Sequence, residues 1–347
     1  MLLSGGLLPS YLRGQGRIFE VKNLATFALP TPTSNENQSA PITANLDFFV
    51  RNHFTVPTIS AAAWNLTVDG AVSSPLKLAY DDLLLLPSIR RALTFECAGN
   101  VSGGRGVGNA LWSGLPLSDV LKKSGIASGV TTVVLHGADS GQGEDLPANT
   151  NYARAIPLEK AMDPSTLLAY EMNGSPLPPE HGFPVRALVA GWYGMDSVKW
   201  LTRIELTKQP FDGYFQREHY VAVTKTARRP LTNMLVSSRF LRPSDGEEIR
   251  TKQYRLEGVA WAGEQEIVSV EVRITGSSWR AAKLSTPAES MAWTAWSYDW
   301  TIPAPGKYTL AIRATDRQGR TQPDQRDPDR QDAYELNTPH EITVITR

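Results

Sequence analysis

The chain has one cysteine among its 347 residues. A single thiol excludes an internal disulfide and any metal site assembled from several cysteines. It does not fix the compartment, because many exported proteins lack disulfides too. No apolar run approaches the roughly 18 residues that a membrane-spanning helix requires. Net charge is absent as well: 35 Lys and Arg balance 35 Asp and Glu. Nothing draws the whole chain to nucleic acid or to an anionic membrane, although arginines cluster from Arg217 to Arg255 and from Arg313 to Arg330. The glycine-rich stretch SGGRGVGNALWSG matches neither the dinucleotide fingerprint nor the phosphate-binding P-loop. No C-x-x-C-H haem attachment site exists, and neither internal repeats nor low-complexity tracts are visible. The opening residues, MLLSGGLLPSYLRGQGR, lack a basic n-region and a twin arginine and make a poor signal peptide. The compartment stays open: cytoplasmic as the sequence stands, periplasmic if a leader precedes it.

What is present is ordinary for a soluble globular protein, with 41% apolar and 20% charged residues. The length fits two domains, each able to bury a core. Residues 28–45 are rich in Pro, Ser, Thr and Asn and read as an irregular entry segment. WNLTVDGAV predicts a strand ending at Asp-Gly, and TTVVLHGA predicts a β-branched strand. LAYDDLLLLPS, LSDVLKKSG and PLEKAMDP predict short helices. PVRALVAG and VKWLTRIEL predict two buried strands joined by GWYGMDS. Beyond about residue 230, YRLEGVAWAG, EIVSVEVRI, KYTLAIRATD and HEITVITR alternate apolar and polar residues between turn signals. That spacing predicts an antiparallel β-sandwich of roughly 110 residues. A boundary near RPLTNML divides the chain into residues 1–230 and 231–347.

The lone Cys97 stands in LTFECAGN, between an acid and a small, turn-prone run. One reading is a buried thiol that fills space like a small hydrophobe; the other is a reactive or ligating thiolate. Arg51 and His53 share a face if DFFVRNHF is extended, which suits an anion at the edge of a core. His181 and Arg186 sit in the proline-stiffened loop PPEHGFPVR, and Lys199 lies in SVKWL. Rigidly presented imidazole, guanidinium and ammonium groups fit recognition of a phosphate or a polar heterocycle. Solvated charges on a proline-rich connector are the alternative.

The stretches FFVRNHF, ECAGN, LAYEMNGSPLPPEHGFPVR, GMDSVKWL and YFQREHY occur in an order that resembles the sulfite oxidase family of molybdopterin enzymes. The resemblance covers nearly all of the N-terminal region. It implies an α+β protein: a mixed α/β molybdenum-cofactor domain followed by an immunoglobulin-like antiparallel sandwich, the family's dimerisation domain. By the same resemblance Cys97 is the protein ligand of molybdenum. Asn52, His53, His181, Arg186, Ser197 and Lys199 hold molybdopterin and its phosphate. Arg51 faces an oxyanion substrate, and Tyr220 is the active-site tyrosine. Where sulfite oxidases carry two arginines after CAGN, this chain has Val101 and Ser102. Arg105 and Arg330 are the residues that could restore the missing charge. The implied activity is oxygen-atom transfer, with sulfite or a related small oxyanion oxidised and electrons leaving to an external acceptor, a c-type cytochrome or oxygen. Reduction of nitrate or of S- and N-oxides on the same cofactor is one alternative; a cofactor-free binding protein is another. A homodimer through the C-terminal domain is also implied, with the tryptophan-rich run MAWTAWSYDW either as its contact or packed inside the sandwich.

Overall fold

The computed structural model of the chain describes residues 41–142, 146, 150–285 and 291–347. The expectations for the opening residues, and for most of the entry segment, lie outside the described residues. Strands dominate. The described α-helices range from four residues, Tyr214–Arg217, to eight, Leu117–Ser124. No described helix is long and apolar enough to cross a membrane.

The N-terminal region is built on two sheets. The first runs, in spatial order, Leu76–Ala79, Asn65–Gly70, Leu201–Thr207, Thr132–Gly141 and Thr150–Pro157. Its one parallel pair joins Asn65–Gly70 to Leu201–Thr207. A parallel pair needs a crossover, and here everything between residues 70 and 201 serves as that connection. The second sheet contains Ile89–Glu96, Val107–Pro116, Leu167–Met172 and Ser175–Pro176, with Arg186–Leu188 paired to Leu167–Met172. Alternation places Leu66, Val68, Val133, Leu135, Ile204 and Leu206 of the first sheet in one core. Leu117, Val120 and Leu121 of the helix close it. That helix stops at Gly125, which takes the left-handed conformation at φ 68°.

One local expectation needs correction. The helix expected over LAYDDLLLLPS spans only Tyr80–Leu84, because Leu76–Ala79 is already committed as an edge strand to Asn65–Gly70. The segments PVRALVAG and VKWLTRIEL do carry strands, and these fall in different sheets. Arg186–Leu188 belongs to the second sheet and Leu201–Thr207 to the first, so the loop between them bridges the two sheets.

The C-terminal region packs two more sheets face to face. One runs Ser237–Arg242, Gln253–Trp261, Thr294–Thr301 and Lys283–Leu284. The other runs Glu248–Ile249, His340–Thr346, Gly306–Asp316, Ile267–Ile274 and Arg280–Ala281. Phe240, Leu256 and Trp296 of the first share a core with Val270, Leu310, Ile312 and Val344 of the second. The pairing is not wholly antiparallel: Glu248–Ile249 runs parallel to His340–Thr346. The tryptophan-rich run is not a surface. Trp293, Trp296 and Trp300 are 3%, 2% and 5% exposed. Their strand, Thr294–Thr301, lies inside its sheet, and the two-residue period turns Trp296 and Trp300 inward. Among the chain's nine tryptophans only Trp279 escapes burial, held between the guanidiniums of Arg273 and Arg313 at 4.5 and 4.4 Å from the ring centroid.

The two regions are joined behind the strand that leads to Cys97. The Trp293 amide donates to Thr94 Oγ1 at 2.7 Å, Trp261 Nε1 donates to Glu96 Oε2 at 2.9 Å, and Lys160 pairs with Glu264 at 2.6 Å.

Candidate functional site

A cavity opens where the two N-terminal sheets and the 194–200 loop meet. Nine of the eleven candidate residues line it: Arg51, Asn52, His53, Cys97, His181, Arg186, Ser197, Lys199 and Tyr220. Arg105 and Arg330 do not.

Cys97 follows directly on the strand Ile89–Glu96, and a small hydrogen-bonded loop fixes its position. Its amide donates to the Gly106 carbonyl at 2.8 Å. Asn100 braces the loop from within: Oδ1 accepts the Gly106 amide at 2.9 Å, and Nδ2 donates to Glu96 Oε1 at 3.0 Å. A Cβ on Gly104 or Gly106 would meet Asn100 Oδ1 at 2.5 or 2.9 Å, so the glycines exist to let the loop close on that amide. Burial pushes the Glu96 carboxyl up to about 7, against the Asn100 and Trp261 hydrogen bonds. Burial also raises the Cys97 thiol, opposed by the Gly99 amide and the Arg51 charge.

The loop 178–186 supplies the second wall. Gly182 adopts φ 108°, a region that L side chains avoid, and a Cβ there would meet Lys199 and Arg186. Arg186 is 7% exposed. It donates to the His181 and Ser197 carbonyls at 3.0 and 2.9 Å and packs over Trp112 and Phe95. Its Nε is buried without a partner. Ser197 Oγ accepts the Val189 amide at 2.9 Å, and His181 Nε2 lies 3.0 Å from the Asn45 carbonyl. Lys199 donates to Asn52 Oδ1 and, at 2.9 Å, to the Glu180 carbonyl.

The third wall is aromatic. Arg51, Asn52 and His53 lie on an irregular segment rather than a strand, yet all three reach the cavity. The His53 ring stacks on Tyr152 with centroids 4.7 Å apart, and its Nε2 lies 2.5 Å from the Tyr220 hydroxyl. Tyr220 is held at φ 55°, just after the helix Tyr214–Arg217. Burial raises its hydroxyl pKa, with the neighbouring Cys97 and Tyr334 adding to the shift.

The electrostatics describe a site built for an anion. Burial lowers Lys199 to about 7 and Arg186 to about 9. It lowers His181 to about 4 and, with help from Arg51, His53 to about 3. No described carboxylate forms an ion pair with Arg186 or Lys199. Sequence reasoning missed Asp139, which is 4% exposed and lines the cavity with Oδ1 unpartnered. Burial raises its pKa to about 6. Its only signal was an acid at the end of the β-branched strand. The two replacement arginines fare differently from the rest. Arg105 is exposed on the glycine loop, outside the cavity. Arg330 is held by Asp332 and Glu335, at 2.7 Å to each, and is not available to a substrate.

Comparison with known proteins agrees with this geometry. The family model for the oxidoreductase molybdopterin binding domain matches residues 53–215, and that for the Mo-co oxidoreductase dimerisation domain matches residues 228–330. The chain is 33% identical over 318 residues to the mitochondrial sulfite oxidase of Homo sapiens, covering 82% of this chain and 57% of that protein. It is 30% identical to the sulfite oxidase of Gallus gallus, covering 82% and 68%. It is 31% identical to nitrate reductase [NADH] 1 of Arabidopsis thaliana, covering 80% and 35%. The chain thus spans little more than half the length of the first of these relatives. Among solved structures, the sulfane dehydrogenase SoxCD of Paracoccus pantotrophus shares the fold. Its TM-score is 0.79 at 24% identity, over 98% of this chain and 92% of that one. Two family models in sequence order, a shared fold, and a cavity that gathers the lone thiol with unpaired cations lead to one assignment: the chain belongs to the sulfite oxidase family of molybdopterin-binding oxidoreductases.

Proposed function

We propose that the chain is a molybdenum-cofactor-dependent oxidoreductase that transfers an oxygen atom to sulfite or a related small oxyanion. Electrons then pass to an external acceptor such as a c-type cytochrome or oxygen. The observation that carries this reading is the position of Cys97, the chain's only thiol, in a cavity whose buried cations lack carboxylate partners.

The residues suit the molybdenum–molybdopterin group. Arg186 and Lys199 are desolvated cations that gain most from a phosphate. The buried Arg186 Nε and Asp139 Oδ1 offer an unmatched donor and an unmatched acceptor to a polar heterocycle. Among the described residues no cluster of three or more His, Cys, Asp or Glu gathers that could hold a metal alone. One protein sulfur therefore suffices only where the cofactor brings its own dithiolene. When bound, the group supplies two-electron oxygen-atom chemistry; the protein supplies binding, orientation and electrostatics. Cys97 would ligate as a thiolate, its proton leaving only against a metal cation. Arg186, Lys199 and His181, with Ser197, would hold the phosphate side. Asp139, Asn52 and His53 would fix the pterin. Arg51 would face the substrate anion, and Tyr220, oriented by His53, would donate a hydrogen bond beside Cys97. The proposal gives residues 1–230 to the cofactor. It gives residues 231–347 to an immunoglobulin-like sandwich that dimerises, a reading supported by the dimerisation-domain match.

Molybdenum analysis together with steady-state assays tests this. Sulfite, nitrate and sulfoxides would each be offered, with artificial one-electron donors and acceptors. A sulfur oxyanion should be oxidised only by the molybdenum-loaded protein. A molybdenum-free protein from a host that makes the cofactor would favour a binding protein. Faster reduction of nitrate or a sulfoxide would favour a reductase.

A further inference from the structure

We infer that the C-terminal sandwich is part of the cofactor site: it clamps the stretch 96–105 from outside and so fixes where Cys97 presents its thiol, with Arg239 as the main positioning residue. This rests on the oxidoreductase reading above and adds to it the groups that aim the thiol.

The first observation is a concentration of contacts. Trp261 Nε1 donates to Glu96 Oε2 at 2.9 Å. The Glu335 amide donates to the carbonyl of Ala98, the residue after Cys97, at 3.1 Å. Ser102 Oγ donates to the Thr338 carbonyl at 2.6 Å, and Arg239 Nη1 donates to the Gly104 carbonyl at 3.2 Å. Gly103, at φ 70°, lies so close to the His340 imidazole that a Cβ there would come within 2.1 Å of it. The His340 ring is itself fixed, since its Nδ1 accepts the Phe240 amide at 3.1 Å. These partners come from three strands of the sandwich, Ser237–Arg242, Gln253–Trp261 and His340–Thr346, and from the segment that leads into the last. Cys97 itself is left out of the series. Its amide goes to Gly106 inside the loop, and the residue lines the cavity.

The second observation is the character of Arg239. It is 7% exposed, and its Nε is buried without a partner. Its one described hydrogen bond goes to Gly104. Burial and the Arg105 charge lower it to about 10, and no carboxylate opposes them. A buried guanidinium without a counter-charge is costly to the fold. This one makes a charge-assisted bond to a loop whose glycines hold their own backbone least. Arg239 does not line the cavity, so it is not placed to meet cofactor or substrate. Its effect on the thiol runs through Gly104 to Gly106 and Asn100, which brace Cys97.

Cys97 is the chain's only thiol, so its alkylation by iodoacetamide reports on this loop alone. In the cofactor-free full chain, Arg239→Met should speed alkylation at least tenfold through local opening, because one charge-assisted bond is lost. Arg239→Lys, which keeps a cationic donor, should restore most of the protection. Ser102→Ala removes a neutral bond and should speed alkylation about two- to tenfold. Lys160→Met is the control. It breaks a contact between the two regions, to Glu264 at 2.6 Å, and none of its side-chain partners lies in 96–105. Alkylation in that variant should match wild type. In the molybdenum-loaded protein, Arg239→Met should lower both molybdenum per chain and kcat per bound molybdenum, and leave the KM for sulfite unchanged. Alkylation unchanged in Arg239→Met and Ser102→Ala, or raised equally by Lys160→Met, would overturn the inference and leave the oxidoreductase reading standing. If Arg239→Met does not fold, Ser102→Ala against Lys160→Met decides. If wild-type protein carried molybdenum yet oxidised no sulfur oxyanion, the oxidoreductase reading would fail, and the alkylation series would still decide what holds Cys97.

Discussion

Most cations of the C-terminal sandwich are handled differently from those of the N-terminal cavity. In the sandwich Arg320 lies on Asp316 at 2.6 Å, Arg313 on Glu271 at 2.8 Å and Arg330 on Asp332 and Glu335, while the buried Arg239 is the exception and donates to the Gly104 carbonyl. In the N-terminal cavity Arg186 and Lys199 meet carbonyls, one side-chain amide and aromatic rings but no carboxylate within ion-pair distance, and burial lowers both pKa values. A charge with a built-in counter-charge belongs to the framework. A buried charge without one is half of an interaction, and a ligand supplies the rest. The N-terminal half contains the control for this argument. Arg154, 1% exposed, pairs with Asp196 at 2.8 Å and so acts as framework beneath Tyr220.

The largest expected effect falls on the cavity. Cys97→Ser should reduce turnover below detection and leave the unfolding midpoint nearly unchanged, since a hydroxyl is a harder and far less acidic donor. Wild-type turnover in the cofactor-loaded variant would end the ligand assignment. Next comes a paired contrast. Arg330→Met removes one guanidinium from Asp332 and Glu335, which keep Arg326 and Arg229, and should cost about 1–3 kcal/mol in urea unfolding. Lys199→Met should instead leave the cofactor-free protein as stable or more stable, while cofactor content falls. Equal destabilisation by both changes would erase the distinction between framework and ligand-seeking cations.

A smaller effect is a slope. Lys199 titrates near 7 when folded and near 10.5 when unfolded, so between these values the unfolded chain binds the extra proton. Stability of the cofactor-free protein should then rise with pH across that window. Lys199→Met, or a bound phosphate, should flatten the rise. On the acid side, buried His340 is lowered to about 4 from 6.5, so the unfolded chain again binds more protons. Stability should fall as pH drops from 6.5 to 4, and less so in His340→Gln. Smallest of all is Arg105→Gln. An exposed side chain outside the cavity should change stability by no more than about 0.5 kcal/mol and leave the KM for the sulfur substrate unchanged. A tenfold rise in KM would put Arg105 in the substrate's path.

Features with a short-range cause were readable from the sequence. The alternation in 253–261, 267–274, 306–316 and 340–346 appears as four long strands of the sandwich. Gly125 ends its helix where Lys-Lys-Ser-Gly predicts. Other features were hidden because their cause is remote. Whether the tryptophans of Thr294–Thr301 pack inward or face a partner stays open until Gln253–Trp261 and Lys283–Leu284 pair with the strand and its inward face joins the core. Asp139 is one acid among many until the fold buries it in the cavity wall, its carboxylate lying where a side chain on Gly137 would be. Local pattern brought Cys97, Arg51, His53, His181, Arg186 and Lys199 to notice and the resemblance added Asn52, Ser197 and Tyr220, but neither could say that Arg105 would lie outside the cavity or that Arg330 would already be paired.

By itself the sequence determined the inventory and the periods: one thiol, the imidazoles and cations of the site loops, alternating strands, and glycines where the Cys97 loop must close. Only the tertiary structure decided which groups meet. His53 reaches Tyr220 across 167 positions, and Glu96 reaches Trp261 across 165. Burial and charge pairing are set by neighbours within a few ångströms, and those neighbours come from segments that no local pattern connects. That is why the same residue type, arginine, is paired with carboxylates at 330 and meets only carbonyls and aromatic rings at 186.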